Sequence, residues 1–293
     1  MRVQTFSILA GSEACNARCP FCISKMTPPL GVKLKEPKVN WRNFEVACRL
    51  AKSCGVTTAM FTGKGEPTIF PDQITTYLEK MEKHNFPLIE LQTNGILLSE
   101  KADKYDRHLK TWYEKGMTTI AVSIVHYEPE KNRQIYLPHK KSYIDLPRLI
   151  ETLHGYGLSV RLTCIAANGF IDSSRVLDNL LSFAKENKVE QLTLTPVNKP
   201  DAEHNGHLES WNWTTAHCLR DEQLGEIKAH LESSGSKLMV LGHGAVVYDL
   251  HGQNICLNNC LSVQPDADGM RNIIFFPDGH IRYYWQYEGA ILL

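Results

Sequence analysis

The sequence lacks a net charge, a block of basic residues and a long apolar run. Its 32 Lys and Arg residues balance 32 Asp and Glu residues, so charge gives no basis for binding duplex nucleic acid or an anionic membrane. No stretch approaches the roughly 18–20 consecutive apolar residues of a transmembrane helix. The first residues do not form the pattern of a secretory signal peptide. These absences favour a cytoplasmic enzyme that works without a membrane.

Nine cysteines are present, and without a signal sequence they argue against a disulfide framework. Six are scattered or loosely grouped, whereas Cys15, Cys19 and Cys22 form a tight CxxxCxxC run. Thiolates bind iron strongly, and four normally complete a cubane cluster, so three leave one iron without a protein ligand. The alternative is a zinc site, but zinc usually takes four ligands and no His lies nearby in sequence.

Strand-like and helix-like segments alternate through the first two hundred residues. This order implies a parallel sheet with right-handed crossovers. Six units predict an α/β fold with a partial (β/α)6 TIM-like barrel, whose chemistry lies at the C-terminal ends of the strands. Ser99 is predicted to cap a helix, and residues 128–144 are predicted to be irregular because they are rich in charge and Pro. The six predicted strands are residues 6–9, 56–62, 88–92, 118–125, 158–166 and 191–197.

The sequence pattern changes after residue 197, and we predict a domain boundary there. Residues 1–197 would form the partial barrel, and residues 198–293 a small C-terminal α+β appendage that covers the barrel mouth. The elements predicted in the appendage are a loop at 198–219, a helix at 221–233, short strands at 237–241 and 245–249, and a hairpin formed by 272–276 and 281–285 around Pro277-Asp278-Gly279.

The CxxxCxxC run, with the aromatic Phe21 before its last cysteine, resembles the radical S-adenosylmethionine (SAM) superfamily. The resemblance implies that Cys15, Cys19 and Cys22 hold a [4Fe-4S] cluster, whose open iron chelates the amino and carboxylate groups of SAM. One electron from the reduced cluster would cleave the sulfonium, and the 5′-deoxyadenosyl radical would abstract hydrogen from a substrate. Phe21 would lie against the adenine. A protein such as flavodoxin or ferredoxin would donate the electron.

Segments at other predicted strand ends resemble SAM-binding motifs of the same superfamily. Gly63-Lys64-Gly65-Glu66-Pro67 resembles the GGEP segment, whose backbone and acid hold the methionine ammonium. Lys64 departs from that pattern, which commonly has Gly there, and its side chain would crowd the site or reach the substrate as a catalytic group. The resemblance assigns further SAM contacts to Asn94 of the Thr-Asn-Gly step, Ser123, Asn168 and Thr195. Ordinary turns and strand residues are the alternatives.

The predicted fifth strand carries two candidates on opposite faces. Arg161 shares a face with Thr163, while Cys164 points the other way. A guanidinium matches a carboxylate bidentately, so Arg161 is a candidate ligand of the SAM carboxylate, and a solvated strand Arg is the alternative. Cys164 would donate hydrogen to a substrate radical only if the strand register were displaced by one residue. Cys218 is the second candidate hydrogen donor.

The order of elements and the run Gln191–Val197 resemble most the GTP 3′,8-cyclase family of molybdenum-cofactor biosynthesis. In that family, three tail cysteines hold a second [4Fe-4S] cluster. Here Cys218, Cys256 and Cys260 are the candidate auxiliary ligands, with free buried thiols as the alternative. The family's cysteine after the Pro277-Asp278-Gly279 turn is missing, so the tail departs from the cyclase pattern and does not name the substrate.

Three functions fit this set of features. The first is a radical SAM enzyme that acts on a small molecule or a nucleotide. The second is a peptide-modifying radical SAM maturase or epimerase. The third is a non-catalytic Fe–S or zinc-binding regulator, which would need the cysteine run but would not need Glu66, Asn94 or Arg161 at strand ends.

Overall fold

Strands and helices alternate along the first 197 residues, as a computed structural model of the chain shows. The structure describes residues 2–27, 30, 33–197, 208–241, 244–258, 269–285 and 287–293. The helices are α1 Trp41–Ser53, α2 Pro71–Met81, α3 Ile96–Glu100, α4 Ala102–Glu114, α5 Pro129–Tyr136, α6 Leu146–Gly155, α7 Ser174–Glu186, α8 Leu208–His217 and α9 Asp221–Ser234. The strands are β1 Arg2–Leu9, β2 Thr58–Thr62, β3 Leu88–Thr93, β4 Thr119–Ile124, β5 Ser159–Ala166, β6 Gln191–Pro196, β7 Ser236–Val240, β8 Val246–Leu250, β9 Gln253–Leu257, β10 Gly269–Phe275 and β11 Ile281–Arg282.

Strands β1 to β6 lie side by side in sequence order and are all parallel, which confirms the six predicted strand–helix units. Their side chains alternate in burial. On β5, Leu162 and Cys164 are fully buried in the hydrophobic core with residues of the helices, whereas Arg161 and Thr163 are only partly buried. One face of the sheet therefore packs against the helices, and the other presents polar side chains to the inside of the barrel.

The residues after 197 add strands to both edges of the same sheet. The strand order is β11-β10-β1-β2-β3-β4-β5-β6-β9-β8-β7. Strand β10 is parallel to β1, and β9 is parallel to β6, so the tail lengthens the parallel wall at both ends. The predicted hairpin around Pro277 is confirmed as β10–β11, although β11 is short. The predicted boundary at 197, and an appendage over the barrel mouth, stay predictions.

Four local predictions are wrong. Ser99 does not begin a helix but lies within α3, where the Asn94 side chain accepts from Ile96 N instead. Residues 129–136 form α5 because Pro129 occupies the first turn, where its missing N–H costs nothing. Part of the predicted loop at 198–219 is α8, which tertiary packing stabilises. Strand β9 was not predicted; it follows a two-residue turn at His251-Gly252 with positive φ at both residues.

In the part of the chain that the structure describes, no helix is long and apolar enough to cross a membrane.

Candidate active site

The three clustered cysteines lie in the loop that follows β1, at the C-terminal end of that strand. Cys15 is exposed, and Cys19 and Cys22 are partly buried; all three are free thiols. A short 3₁₀ helix, Ile23–Met26, begins directly after Cys22, and Lys25 N donates to Cys22 O (3.0 Å). The residues from Cys15 to Thr27 are called the cysteine loop below. Its position at a strand end is the one that the sequence predicted.

Two thiols of the cysteine loop, Cys15 and Cys19, have pKa values raised above that of an ordinary thiol. Burial of its sulfur raises the pKa of Cys15 to about 11, although part of the side chain is open to solvent. Burial, together with the neighbouring thiols Cys22 and Cys15, raises the pKa of Cys19 well above its usual range. Iron binds thiolates, so loading a metal here must release protons.

The loop after β2 packs directly on the segment that leads into Cys15. Glu66 N donates to Ala14 O (2.8 Å). A Cβ atom added to Gly65 would come within 2.0 Å of Ala14 O, and one added to Gly63 within 3.0 Å of Ala10 O. Only glycine allows this approach at position 65. The two loops therefore form one backbone cradle at the ends of β1 and β2.

Glu66 is buried, and its carboxylate ties the loop after β2 to the end of β3. Its Oε1 accepts from Thr68 N (3.0 Å), Thr68 Oγ1 (2.6 Å) and Thr93 Oγ1 (2.6 Å). Its Oε2 accepts from Asn94 N (2.8 Å). Burial raises the pKa of Glu66, and these hydrogen bonds oppose that shift. Sequence reasoning assigned this acid to the SAM ammonium; the structure shows that it also organises the protein around the site.

Asn94 connects the end of β3 to the cysteine loop. Its Nδ2 donates to Asn16 Oδ1 (2.7 Å), and its Oδ1 accepts from Ile96 N (3.0 Å). Gly95, which follows, has φ +71°, a left-handed conformation that glycine adopts without strain. The buried Nδ2 of Asn16, next to Cys15, has no hydrogen-bond partner within the described residues. The site thus presents an unused donor beside its first cysteine.

These features fit a [4Fe-4S] cluster with bound SAM. Three thiols lie in one loop after β1, next to the glycine cradle and an unpaired amide donor, and thiolates are the ligands that hold a [4Fe-4S] cluster. Across residues 2–27, 33–197 and the other described ranges, no three His, Cys, Asp or Glu side chains converge on a single metal ion. A cubane does not need such convergence, because each thiolate binds a different iron.

Phe21 lies between two elements that sequence reasoning did not link to the cysteine loop. Its ring is 5.3 Å from Trp213 of α8 and 6.4 Å from Tyr136 of α5, measured between centroids. Trp213 in turn stacks on His217 at 4.2 Å with an interplanar angle of 6°. The tail helix α8 therefore packs on the aromatic residue of the CxxxCxxC run. A proposed adenine contact of Phe21 would have Trp213 beside it.

The inside of the barrel carries one level of small polar side chains on four neighbouring strands. Ser123, Thr163, Thr193 and Cys256 are paired in register across β4, β5, β6 and β9, so they share one face. We call these four residues the inner row. The Thr163 Oγ1 is buried, and nothing in the described part of the chain hydrogen-bonds to it. Thr195, two residues beyond Thr193, is buried at the mouth end of β6.

Arg161 points into the barrel, as predicted, but forms an ion pair with Glu90 of β3. Glu90 is buried, and burial raises its pKa while the Arg161 charge opposes that shift. The guanidinium is thus held by a protein carboxylate, and contact with the SAM carboxylate stays a prediction. Its Nε is buried without a partner within the described residues. Glu90 was missed by sequence reasoning, although its place in an otherwise apolar strand was a usable signal.

The remaining candidates are spread over several elements. Cys164 is fully buried in the hydrophobic core, and burial raises its pKa, so its assignment as a hydrogen donor is wrong for this arrangement. Cys218 ends α8 and donates to Thr215 O (3.5 Å). Asn168 is tied to the tail, since its N donates to His217 O and its Oδ1 accepts from Gln223.

The auxiliary-cluster prediction remains open. Cys256 faces into the barrel from β9, where Arg161 partly offsets the rise that burial causes in its pKa. Cys218 lies at the end of a helix, and Cys260 lies outside the described residues. A second cluster with these three ligands therefore stays a prediction.

Comparisons with known proteins agree with this site. The chain is 26% identical over 211 residues to the GTP 3′,8-cyclase of Aquifex aeolicus, covering 69% of this chain and 58% of that protein. It is 29% identical over 175 residues to the mitochondrial GTP 3′,8-cyclase of Arabidopsis thaliana, covering 58% of this chain and 41% of that protein. The chain thus spans about half the length of these curated relatives, and the predicted likeness to the cyclases is confirmed.

Solved structures show the same fold, and a family match covers most of the site. Streptococcus suis SuiB bound to S-adenosylmethionine aligns with a TM-score of 0.62 at 14% identity, over 96% of this chain and 60% of that one. The enzyme anSMEcpe with bound AdoMet aligns with a TM-score of 0.58 at 13% identity, over 99% of this chain and 77% of that one. Residues 10–183 match the family described as the Radical SAM superfamily. The chain therefore belongs to the radical SAM superfamily of enzymes, which use a [4Fe-4S] cluster and SAM.

Proposed function

We propose that this protein uses its [4Fe-4S] cluster to cleave SAM reductively and to abstract a hydrogen atom from a small-molecule or nucleotide substrate. The observation that carries the proposal is the cysteine loop, held against the glycine cradle and the Glu66–Asn94 network at the ends of β1, β2 and β3. When bound and reduced, the cluster supplies the electron for SAM cleavage. The protein would hold the cluster, SAM and the substrate close together in the orientation that the reaction requires.

The residues of the site have distinct tasks in this proposal. Cys15, Cys19 and Cys22 would hold three irons and leave the fourth for SAM. Backbone groups from Gly63 to Gly65 would bind the methionine end of SAM, as the resemblance of this segment to the GGEP motif implies. Phe21, with Trp213 behind it, offers an apolar surface for the adenine and keeps water from that side.

Further contacts to SAM remain proposals for five polar residues. Asn94 and Ser123 lie at or near the ends of β3 and β4, on the edge where the ribose would lie. Thr195 ends β6 near the proposed adenine position. Arg161 would reach the SAM carboxylate only if its guanidinium keeps a donor free while it pairs with Glu90. Asn168 would have to leave its contacts to the tail to approach the nucleoside.

The inner row supports a polar substrate. Hydroxyl and thiol groups at one level of the barrel wall, one of them unpaired, can hydrogen-bond a hydroxylated or heterocyclic molecule. A nucleotide is the class favoured by the similarity to GTP 3′,8-cyclases, which covers 69% of this chain for the Aquifex aeolicus enzyme and 58% for the Arabidopsis thaliana enzyme. We further propose that a cytoplasmic flavodoxin or ferredoxin delivers the electron.

The test is anaerobic reconstitution followed by product analysis. The protein is loaded with iron and sulfide, reduced with dithionite, and incubated with SAM and a panel of nucleotides; 5′-deoxyadenosine is measured by chromatography. We expect about four irons per chain for one cluster, and about eight if the auxiliary cluster forms. Formation of 5′-deoxyadenosine that rises with one nucleotide supports the proposal. A fully loaded, reduced protein that forms none with any of them contradicts it.

Matched cysteine variants separate the cluster from other thiols. Cys19→Ala should abolish cluster binding and product formation, because a cubane held by two thiolates is not stable here. Cys54→Ala, a partly buried cysteine at the end of α1, should leave both unchanged. A full cluster in Cys19→Ala would show that the cysteine run is not the ligand set. Stimulation by peptides and not by nucleotides would favour the maturase alternative.

A further inference from the structure

Lys64 stands where the superfamily commonly has glycine, and the structure shows where its side chain goes. The residue is only 5% exposed, so a lysine ammonium lies buried within the site. Its Nζ donates to Thr27 Oγ1 (2.5 Å), at the end of the 3₁₀ helix that follows Cys22. Thr27 Oγ1 also donates to Ile23 O (3.1 Å), which fixes that hydroxyl on the helix. The side chain thus bridges the loop after β2 and the far end of the cysteine loop.

The loop after β2 therefore holds the cysteine loop at both ends. Glu66 N bonds to Ala14 O just before Cys15, and Lys64 Nζ bonds to Thr27 just after Cys22. The first bond uses backbone atoms and does not depend on the side chain at position 64. The second requires a long side chain with a hydrogen-bond donor at that position. Replacement by glycine would keep the first contact and remove the second.

The ammonium also places a positive charge beside the proposed cluster. Among the described residues, Glu13 and Cys22 favour its charged form, and Arg282 of β11 opposes it. Burial lowers the pKa of Lys64 to about 8, so the charged form still predominates at neutral pH. At low effective dielectric, a cation near a redox centre acts more strongly than it would in water.

We propose that Lys64 is a positioning residue that holds the Cys22 end of the cysteine loop and raises the reduction potential of the cluster. Reduction adds one negative charge to the cluster, and a nearby buried cation stabilises that charge. A higher potential would let a moderately reducing flavodoxin or ferredoxin load the electron. This inference rests on the cluster assignment in the proposed function, but not on any particular substrate.

The experiment is a redox titration of the reconstituted protein, followed by electron paramagnetic resonance of the reduced cluster. Lys64→Met removes the charge at similar size, and Lys64→Arg keeps it. The partly exposed Lys115→Met, whose lysine pairs with Glu82 outside the site, is the matched control. We expect the midpoint potential of Lys64→Met to move to more negative values. Lys64→Arg and Lys115→Met should stay near the wild-type potential.

Two results would overturn the inference. One is a fully loaded Lys64→Met with the wild-type potential, and the other is a shift in Lys64→Arg as large as that in Lys64→Met. If Lys64→Met does not load a cluster, Lys64→Gln is titrated, because it keeps a donor for Thr27 without the charge. Failure of both to load, with normal loading of Lys64→Arg, would show a structural role only and would contradict the redox role.

Failure of this inference about Lys64 can be distinguished from failure of the proposed function. A wild-type protein with a titratable cluster but no 5′-deoxyadenosine would defeat the proposed function, while a shifted potential in Lys64→Met would still support the role of Lys64. Formation of 5′-deoxyadenosine by the wild-type protein, together with an unshifted potential in Lys64→Met, would support the proposed function and contradict the role of Lys64. Iron content of each variant is measured in parallel, so that loss of cluster is not mistaken for a change of potential.

Discussion

The two sides of the barrel mouth are built differently. At the ends of β1, β2 and β3, the Glu66 carboxylate accepts four hydrogen bonds, and Lys64 and Asn94 each bond to the cysteine loop. Asn16 Nδ2 is the buried donor that this network leaves unpaired within the described residues. On β4, β5, β6 and β9, the inner row and Arg161 leave buried polar atoms unpaired within the described residues.

The difference distinguishes polar groups whose hydrogen bonds are already made within the protein from polar groups that need a ligand as their partner. The first side is preorganised, because its loops hold each other before any cofactor binds. The second side carries unsatisfied groups that cost stability until a partner fills them. We therefore expect substitutions on the first side to act on folding and cofactor loading, and those in the inner row to act mainly on substrate binding.

The largest effect should come from Glu66→Ala. The change leaves the hydroxyl of Thr93 and the backbone amides of Thr68 and Asn94 buried without a hydrogen-bond acceptor. We therefore expect a loss of about 3–5 kcal/mol in the free energy of unfolding. Urea unfolding of the metal-free protein under anaerobic conditions measures it. Glu66→Gln, which keeps one carbonyl acceptor, should lose less. Equal losses in both variants would mean that the hydrogen bonds are not the source of the stability.

Gly65→Ala should have the next largest effect on the free energy of unfolding. Its Cβ would meet Ala14 O at 2.0 Å, so either loop must move, at a cost of about 2–3 kcal/mol and with reduced cluster content. Gly225→Ala in α9 is the matched control, since no atom lies within 4 Å of its added Cβ. There we expect a gain of up to about 1 kcal/mol from helix propensity. An unchanged iron content in Gly65→Ala would argue against the cradle.

The variant Arg161→Met tests the other side of the barrel mouth, which β4, β5, β6 and β9 form. It leaves Glu90 buried without its partner, and we expect a loss of about 2 kcal/mol in unfolding free energy, less than for a fully buried pair because Arg161 is partly exposed. The double variant Arg161→Met/Glu90→Gln should recover much of that loss. If it recovers nothing, the pair is not what holds Arg161 in place, and the guanidinium is available to SAM.

The smallest effect concerns acid stability at the end of β4. His126 is buried, and its Nδ1 accepts from Glu128 N (3.0 Å); burial lowers its pKa. Since the folded-state pKa lies below the unfolded value near 6.5, its contribution is complete above about pH 6.5 and is lost as the pH falls through the folded pKa.

We expect His126→Asn to remove up to about 1 kcal/mol of the stability difference between pH 7.5 and pH 5.5. Urea unfolding at the two pH values measures that difference. His139→Asn, at an exposed histidine thirteen residues further on, should keep the wild-type difference. An unaltered pH dependence in His126→Asn would show that other groups control acid stability.

Much of the parallel sheet was predictable, because apolar runs and glycine turns are local signals. Alternation placed Arg161 inside the barrel and Cys164 outside, and the structure agrees. The pairing of Arg161 with Glu90 was not predictable, since it joins strands that are 71 residues apart in sequence. Helix α8 was missed for a similar reason: its Ser, Asn and Thr residues are weak helix formers, and its contact with Phe21 is tertiary.

The tail was least predictable at the point where it joins the sheet. The β10–β11 hairpin could be predicted from its turn, but the pairing of β10 with β1 has no local signature. The same holds for Cys256, which the resemblance to the cyclases grouped with Cys218 and Cys260 as a metal ligand. Its inward direction depends on the register of β9 against β6.

The pairing of β1 with β10 has a consequence for how the chain folds. Arg2 lies opposite Gly269, so the strand that carries the cysteine loop keeps one unpaired edge until β10, Gly269–Phe275, has been synthesised. Such distant pairing is slow to form, and an exposed strand edge invites association with other chains. Refolding should therefore be slow and concentration-sensitive, and iron delivered to the nascent protein would reach a loop whose strand is not yet closed on both sides.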